Sequence, residues 1–162
     1  MAKFLCVDLG TTTGYAVGDR RMAFSGVWHL KAGRFEGGGM RFVKFRARLA
    51  EVKESFPDRD PLTHVFFEEV RRHQGVDAAH VYGGLMAVLT AWCEENGIPY
   101  SGVPVGTIKK HWTGKGNASK DLMIEEARRR NLNPVDDNEA DALAIFDWAT
   151  TEYGSEMQNA AA

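Results

Sequence analysis

Three short apolar stretches of period two precede any helical pattern in this chain, and that order limits the possible folds more than any other feature. Residues 3–9 read as a buried strand and residues 15–18 as its hairpin partner; residues 22–30 form a third strand, with Phe24, Trp28 and Leu30 alternating to one face. Together they predict an antiparallel meander. Beyond the Gly37-Gly38-Gly39 loop, Phe42, Phe45, Leu49, Val52 and Phe56 recur at helical spacing, and Pro57 forbids continuation. Residues 64–70 are a fourth strand, residues 77–95 a long helix capped by Asp77 and closed by Gly97, and residues 99–103 a fifth strand. Residues 107–112, 119–130 and 138–153 read as helices, the second capped by Ser119. The prediction is an α/β fold, a mixed sheet with helices on its faces.

At 162 residues, 44% hydrophobic and 26% charged, the chain is about one domain's worth. The expectation is a single domain over residues 1–153 and a disordered tail over 154–162. The apolar run in MAKFLCVDLG is too short for a signal sequence or a membrane span, which points to a cytoplasmic protein with no membrane partner. Cys6 and Cys93 show no CxxC pairing and read as inert core thiols. The net charge of −2 hides an uneven distribution. Between Arg20 and Ala50 the sole acid is Glu36, against Arg20, Arg21, Lys31, Arg34, Arg41, Lys44, Arg46 and Arg48; from Asn96 to Lys120 there is no acid at all. Basic surfaces can therefore flank an acidic site, although solvated faces explain the first segment equally well.

The acids themselves occupy informative places. Asp8 ends the first strand, Glu68 lies in FFEEV on the fourth, and Asp141 lies in DDNEADALAI on the last helix. An acid within or at the end of an apolar strand is costly unless it is paired or metal-bound. Glu68 and Glu69 point to opposite sheet faces and cannot serve one site. On the helix, Asp137 and Asn138 precede Asp141 by four and three residues and can share its face, whereas Glu139 should face away. A phosphodiesterase that works through two divalent cations needs such carboxylates to converge from separate elements.

With these residues in view, the chain resembles RuvC-type Holliday junction resolvases, nearly end to end. VDLGTTTGYAV is similar to the family's first strand-turn-strand, FFEEV to its glutamate strand, VYGGLMAVL to its Gly-containing helix, KKHWTGKGNASK to its lysine-bearing loop and ADALAI to its last helix. The resemblance implies a ribonuclease H-like five-stranded sheet, three antiparallel strands then two parallel, with helices on both faces. It also implies Asp8, Glu68 and Asp141 as metal ligands, with a fourth just before Asp141. The family commonly places an Asp or His three residues before the last Asp, where this chain has Asn138. Asn138 can ligate without adding charge, so Asp137 is the preferred carboxylate, with Glu139 an option if the helix begins later.

The same resemblance puts Lys120 near the scissile phosphate and Lys109 on the active-site side as a DNA contact. Lys110 and Lys115 extend that basic face, and Thr11, Thr12 and Thr13 can offer hydroxyls and amides to phosphates. Arg71, with Arg72 beside it, stands where some family members carry an aromatic that probes bases. His73, His80 and His111 have no metal-ligand spacing, Arg128 to Arg130 read as solvated, and Trp112 is the tryptophan that lies near the lysines.

The expected activity is structure-selective cleavage of four-way DNA junctions by a homodimer with two Mg²⁺ per active site, Mn²⁺ substituting, and no nucleotide cofactor. Cleavage of branched DNA generally or of RNA–DNA hybrids, and non-cleaving junction binding, are the alternatives within the fold. DLGTT also fits actin-like ATPases, but these grip a nucleotide between two domains and need roughly twice this chain. No GxxxxGK[ST] phosphate loop occurs.

Overall fold

The computed structural model describes residues 1–73 and 75–160. Five strands form one sheet: β1 (Phe4–Asp8), β2 (Thr12–Gly18), β3 (Ala23–His29), β4 (His64–Glu69) and β5 (Tyr100–Pro104), in the order β3-β2-β1-β4-β5. β1, β2 and β3 pair antiparallel, whereas β4 and β5 run parallel to β1. The mixed sheet of the sequence reading is thus observed. Parallel neighbours need crossovers, and these are the helices α1 (Met40–Ser55), between β3 and β4, and α2 (Val76–Asn96), between β4 and β5. α3 (Val105–Thr113), α4 (Lys120–Arg129), α5 (Asp137–Trp148), a π-helical turn (Ala149–Tyr153) and α6 (Gly154–Ala160) follow.

Alternation along β1 assigns the two layers. Leu5 and Val7 face α1 and α2, joining Phe45, Leu49, Leu85 and Leu89 in one apolar core. Phe4 and Cys6 face the other way, joining Ile108, Met123, Ala142 and Ile145 from α3, α4 and α5. Asp8 continues the Phe4–Cys6 parity and so points toward α5. The small residues Ala140, Ala142 and Ala144 let α5 lie close on the sheet; a Cβ on Gly14 of β2 would fall 1.8 Å from the Asn138 carbonyl oxygen.

Several expectations change. Gly75, not Asp77, is the N-cap of α2, while Gly97 does close it with φ 64°. Ser119 caps α4, its Oγ accepting from Leu122 N at 3.2 Å. Asp136 caps α5, which therefore starts at Asp137, one residue earlier than expected. Phe24 is exposed rather than inward, because β3 is the sheet edge and Phe24 lines an open groove with Ser55 and Phe56 there. Gly154–Ala160 continue as helix where the tail was expected; residues 161 and 162 lie outside the described residues.

Arg130 is not solvated either. Its guanidinium lies 4.0 Å over the Trp112 ring and donates to Glu126 Oε1, Asp147 Oδ2 and the Trp112 carbonyl, tying α3, α4 and α5 together. Asp147 Oδ2 also meets His111 Nε2 at 2.7 Å, and Trp112 is core, donating from Nε1 to Met123 O. Cys6 and Cys93 are buried free thiols. Among the described residues no helix is long and apolar enough to cross a membrane.

Candidate metal centre and active site

β1 and β4 are parallel neighbours with Val7 opposite Phe67, so the next residues, Asp8 at the end of β1 and Glu68 one residue before the end of β4, lie side by side. α5 crosses above and lowers Asp141 between them. One carboxylate oxygen from each of Asp8, Glu68 and Asp141 lies within 4.8 Å of the others. Three partly buried acids at such range resist ionising together. Burial pushes the Asp8 carboxyl well above the usual range, helped by the charge of Glu68, a hydrogen bond with it, and the charges of Asp141 and Asp137. Asp141 is pushed up to about 7, by burial first and then by Glu68 and Asp137, with Lys109 and Lys120 opposing. An all-oxygen donor set that needs positive charge to ionise fits a hard divalent cation.

Around this cluster the predicted residues divide. Asp137, in the first turn of α5, is outside the group of three converging carboxylates, although its charge acts on Asp8 and Asp141; its Oδ2 lies 3.0 Å from Lys120 Nζ and anchors that lysine. That contact, followed by the charges of Asp137, Asp141 and Asp8, raises the Lys120 ammonium. Asn138 donates from Nδ2 to Asp136 Oδ2 at 3.2 Å. Glu139 faces away from Asp141, as its spacing requires, yet it is buried: its two oxygens accept from Ser25 Oγ and Val135 N, each at 2.7 Å. Both its oxygens are engaged in joining β3 and the α4–α5 loop to α5.

The basic residues form a graded surround. Lys109 is half-buried on α3 and its charge reaches Asp141, whereas Lys110 and Lys115 are exposed. Arg71 is exposed with Nε 3.8 Å from Glu69 Oε1, and Arg72 is exposed beside it. Thr11 and Thr12 are half-buried at the turn. Thr13 is fully buried and donates to the Gly10 carbonyl at 2.7 Å, so its hydroxyl shapes the turn and offers nothing to a DNA strand.

Tyr82 escaped the sequence reading. From α2 its hydroxyl donates to the Glu68 carbonyl at 2.8 Å and accepts from Val70 N at 3.1 Å, fixing the strand end that presents Glu68. Its sole sequence signal is a hydroxyl on an otherwise apolar helix face.

No family model matches the sequence. The crossover junction endodeoxyribonuclease RuvC of Synechococcus sp. (strain CC9311) is 29% identical over 143 residues, spanning 86% of this chain and 84% of that protein. Among solved structures, Thermus thermophilus RuvC in complex with a Holliday junction substrate superposes with a TM-score of 0.69 at 24% identity, covering 90% of each chain. Thermus thermophilus RuvC by itself gives 0.69 at 23% identity over 96% of each. The yeast mitochondrial Holliday junction resolvase Ydc2 gives 0.54 at 13% identity, over 89% of this chain and 75% of that one. In sequence along most of its length, and in its ribonuclease H-like fold, this chain is similar to the RuvC-type resolvases.

Proposed function

We propose that this chain is a divalent-metal-dependent endonuclease that resolves four-way DNA junctions by paired, symmetric phosphodiester hydrolysis. The observation that carries the reading is the convergence of Asp8, Glu68 and Asp141 from β1, β4 and α5 onto one point. Asp8, Glu68, Asp141 and Asp137 would hold two Mg²⁺ ions, with Mn²⁺ able to substitute and Asn138 as a neutral auxiliary ligand. Bound there, such ions lower the pKa of water and offset charge on the phosphate oxygens.

The chain's own groups do the rest. The carboxylates fix where a phosphate can approach, because an uncompensated phosphate is repelled by them. Lys120, held by Asp137, stands ready to neutralise charge that grows on the phosphate as the water oxygen bonds to phosphorus and the bond to the departing sugar oxygen breaks. Lys109 favours the ionised form of Asp141. Arg71, Arg72, Lys110 and Lys115, with Thr11 and Thr12, supply contacts along the strand. A four-way junction has two-fold symmetry and paired cuts need two sites, so the working form is a homodimer of one nuclease domain, residues 1–153, acting in the cytoplasm.

The test is a panel of end-labelled four-way, three-way, flap and RNA–DNA hybrid substrates incubated with Mg²⁺ or Mn²⁺ and mapped for incisions. Symmetric paired nicks in the four-way junction are expected, and Asp8→Asn should abolish them while junction binding persists. Binding without nicks would move the reading to a junction-binding module, and preferential cutting of another substrate would move it to a broader branched-DNA or hybrid nuclease.

A further inference from the structure

Beside the acid cluster, on the α1–α2 side of the sheet, lies a second site. A cavity of about 370 Å³ opens between the turn after β1 and the start of α2, lined by Gly10, Thr11, Arg41, His73, Asp77 and Tyr82. Arg41 is its distinctive member. The other four cations of α1 each have a carboxylate: Lys44 with Glu36, Arg46 with Glu95, Arg48 with Glu51 and Lys53 with Asp58. Arg41 has no ion pair among the described residues, and its Nε is buried with no hydrogen-bond partner among them. An orphaned buried donor on a permanent cation costs free energy, and a guanidinium fork matches the oxygens of a phosphate.

The surroundings agree on the ligand. Thr11, three residues after Asp8 in the turn between β1 and β2, lines the cavity with its hydroxyl-bearing side chain half-buried. Tyr82 forms another wall of the cavity and at the same time bonds the Glu68 carbonyl. The cavity therefore adjoins the strand end that presents Glu68 but opens on the opposite face of the sheet from the acids, as neighbouring phosphates of one strand would lie if that strand crossed the ends of β1 and β4. Asp77 is exposed in the first turn of α2 and is the one unfavourable charge among the lining residues.

We infer that this cavity is a phosphate subsite in which Arg41 and Thr11 hold a backbone phosphodiester of the bound DNA strand, adjacent to the phosphate at the acid cluster. The inference rests on the nuclease reading above. It is tested by fluorescence anisotropy with a labelled four-way junction in EDTA across a salt series, comparing the full chain with Arg41→Gln, Arg41→Lys and Asp77→Asn, each first checked for an unchanged melting curve.

Arg41→Gln should weaken binding about tenfold and reduce the slope of log affinity against log salt by about one, the signature of one lost phosphate contact. Arg41→Lys should restore the slope without the full affinity, and Asp77→Asn, which removes a repelling charge, should tighten binding. Unchanged affinity and slope in Arg41→Gln, or no gain in Asp77→Asn, would overturn the subsite. If the unsubstituted protein neither binds nor cuts junctions, the nuclease reading itself fails. If it does both while Arg41→Gln behaves identically, only the subsite fails.

Discussion

Glu139 and Asp141 stand two residues apart on α5 and do opposite work. Asp141 is presented to Asp8 and Glu68; Glu139 is turned into the fold, where Ser25 Oγ and Val135 N both donate to it. Spacing alone separates their directions, since two residues on a helix are about 200° apart. It does not show that Glu139 is a buried fastener, because Ser25 and Val135 come from β3 and from the loop before α5. Glu139→Ala should lower unfolding stability by about 2–4 kcal/mol, since two donors lose their acceptor and a void opens. Urea denaturation measures this, and the stabilisation gained from Mg²⁺ should survive in the variant. A Glu139→Ala protein as stable as the parent would rule out the fastening role.

At the scale of elements, the period-two runs and the helical stripes carry enough information to find every strand and the five helices from α1 to α5. Each of these elements buries one continuous face, and burial is what periodicity records. What pattern reading lacks is the partner. Thr13 reads as a surface hydroxyl until the turn folds it onto Gly10. Phe24 keeps the parity of Trp28 but sits where the sheet ends. Arg130 reads as solvated until Trp112, Glu126 and Asp147 gather round it. The approach of α5 to β2 at Gly14 is equally invisible, and it determines where Asp137 and Asp141 sit. A Cβ there would meet the Asn138 carbonyl at 1.8 Å and Glu139 N at 2.9 Å, backbone atoms that cannot rotate away. Gly14→Ala should therefore push the start of α5 off the sheet, costing at least about 3 kcal/mol. On the proposed function, the nicking rate should fall further than junction affinity, because α5 carries ligands while the basic residues lie mostly elsewhere. Stability and nicking rates close to those of the parent would show that the contact is relaxed in solution.

For the molecule as a whole, the acid cluster costs stability when it ionises, and the sign of its effect can be read from pH. Asp141 titrates near 3.8 when unfolded and is pushed up to about 7 when folded. Between those values the folded chain holds a proton that the unfolded chain has lost, so stability falls as pH rises, by up to about 1.4 kcal/mol per unit for each such group. Asp8, raised by the same burial and charges, acts in the same direction. His64 opposes them lower down. Buried beside Phe66, with Ser101 Oγ at its Nε2, it is depressed from 6.5 to about 4, so it contributes stability that increases with pH across that interval. The two trends offset each other between about 4 and 6.5, and above 6.5 the acids act alone. The metal-free protein should thus lose melting temperature on going from pH 6.5 to 8. Saturating Mg²⁺ should recover it, with a larger upward shift at pH 8 than at pH 6, where protons compete for the ligands. Asp8→Asn should melt above the metal-free parent at pH 8 and lose most of the Mg²⁺ shift, since one repelling charge and one ligand are gone together. Differential scanning calorimetry with and without EDTA decides it: a metal-free protein whose stability is flat or rising above pH 6.5 would mean that these carboxyls are not strained against one another, and the case for a cation at their centre would go with it.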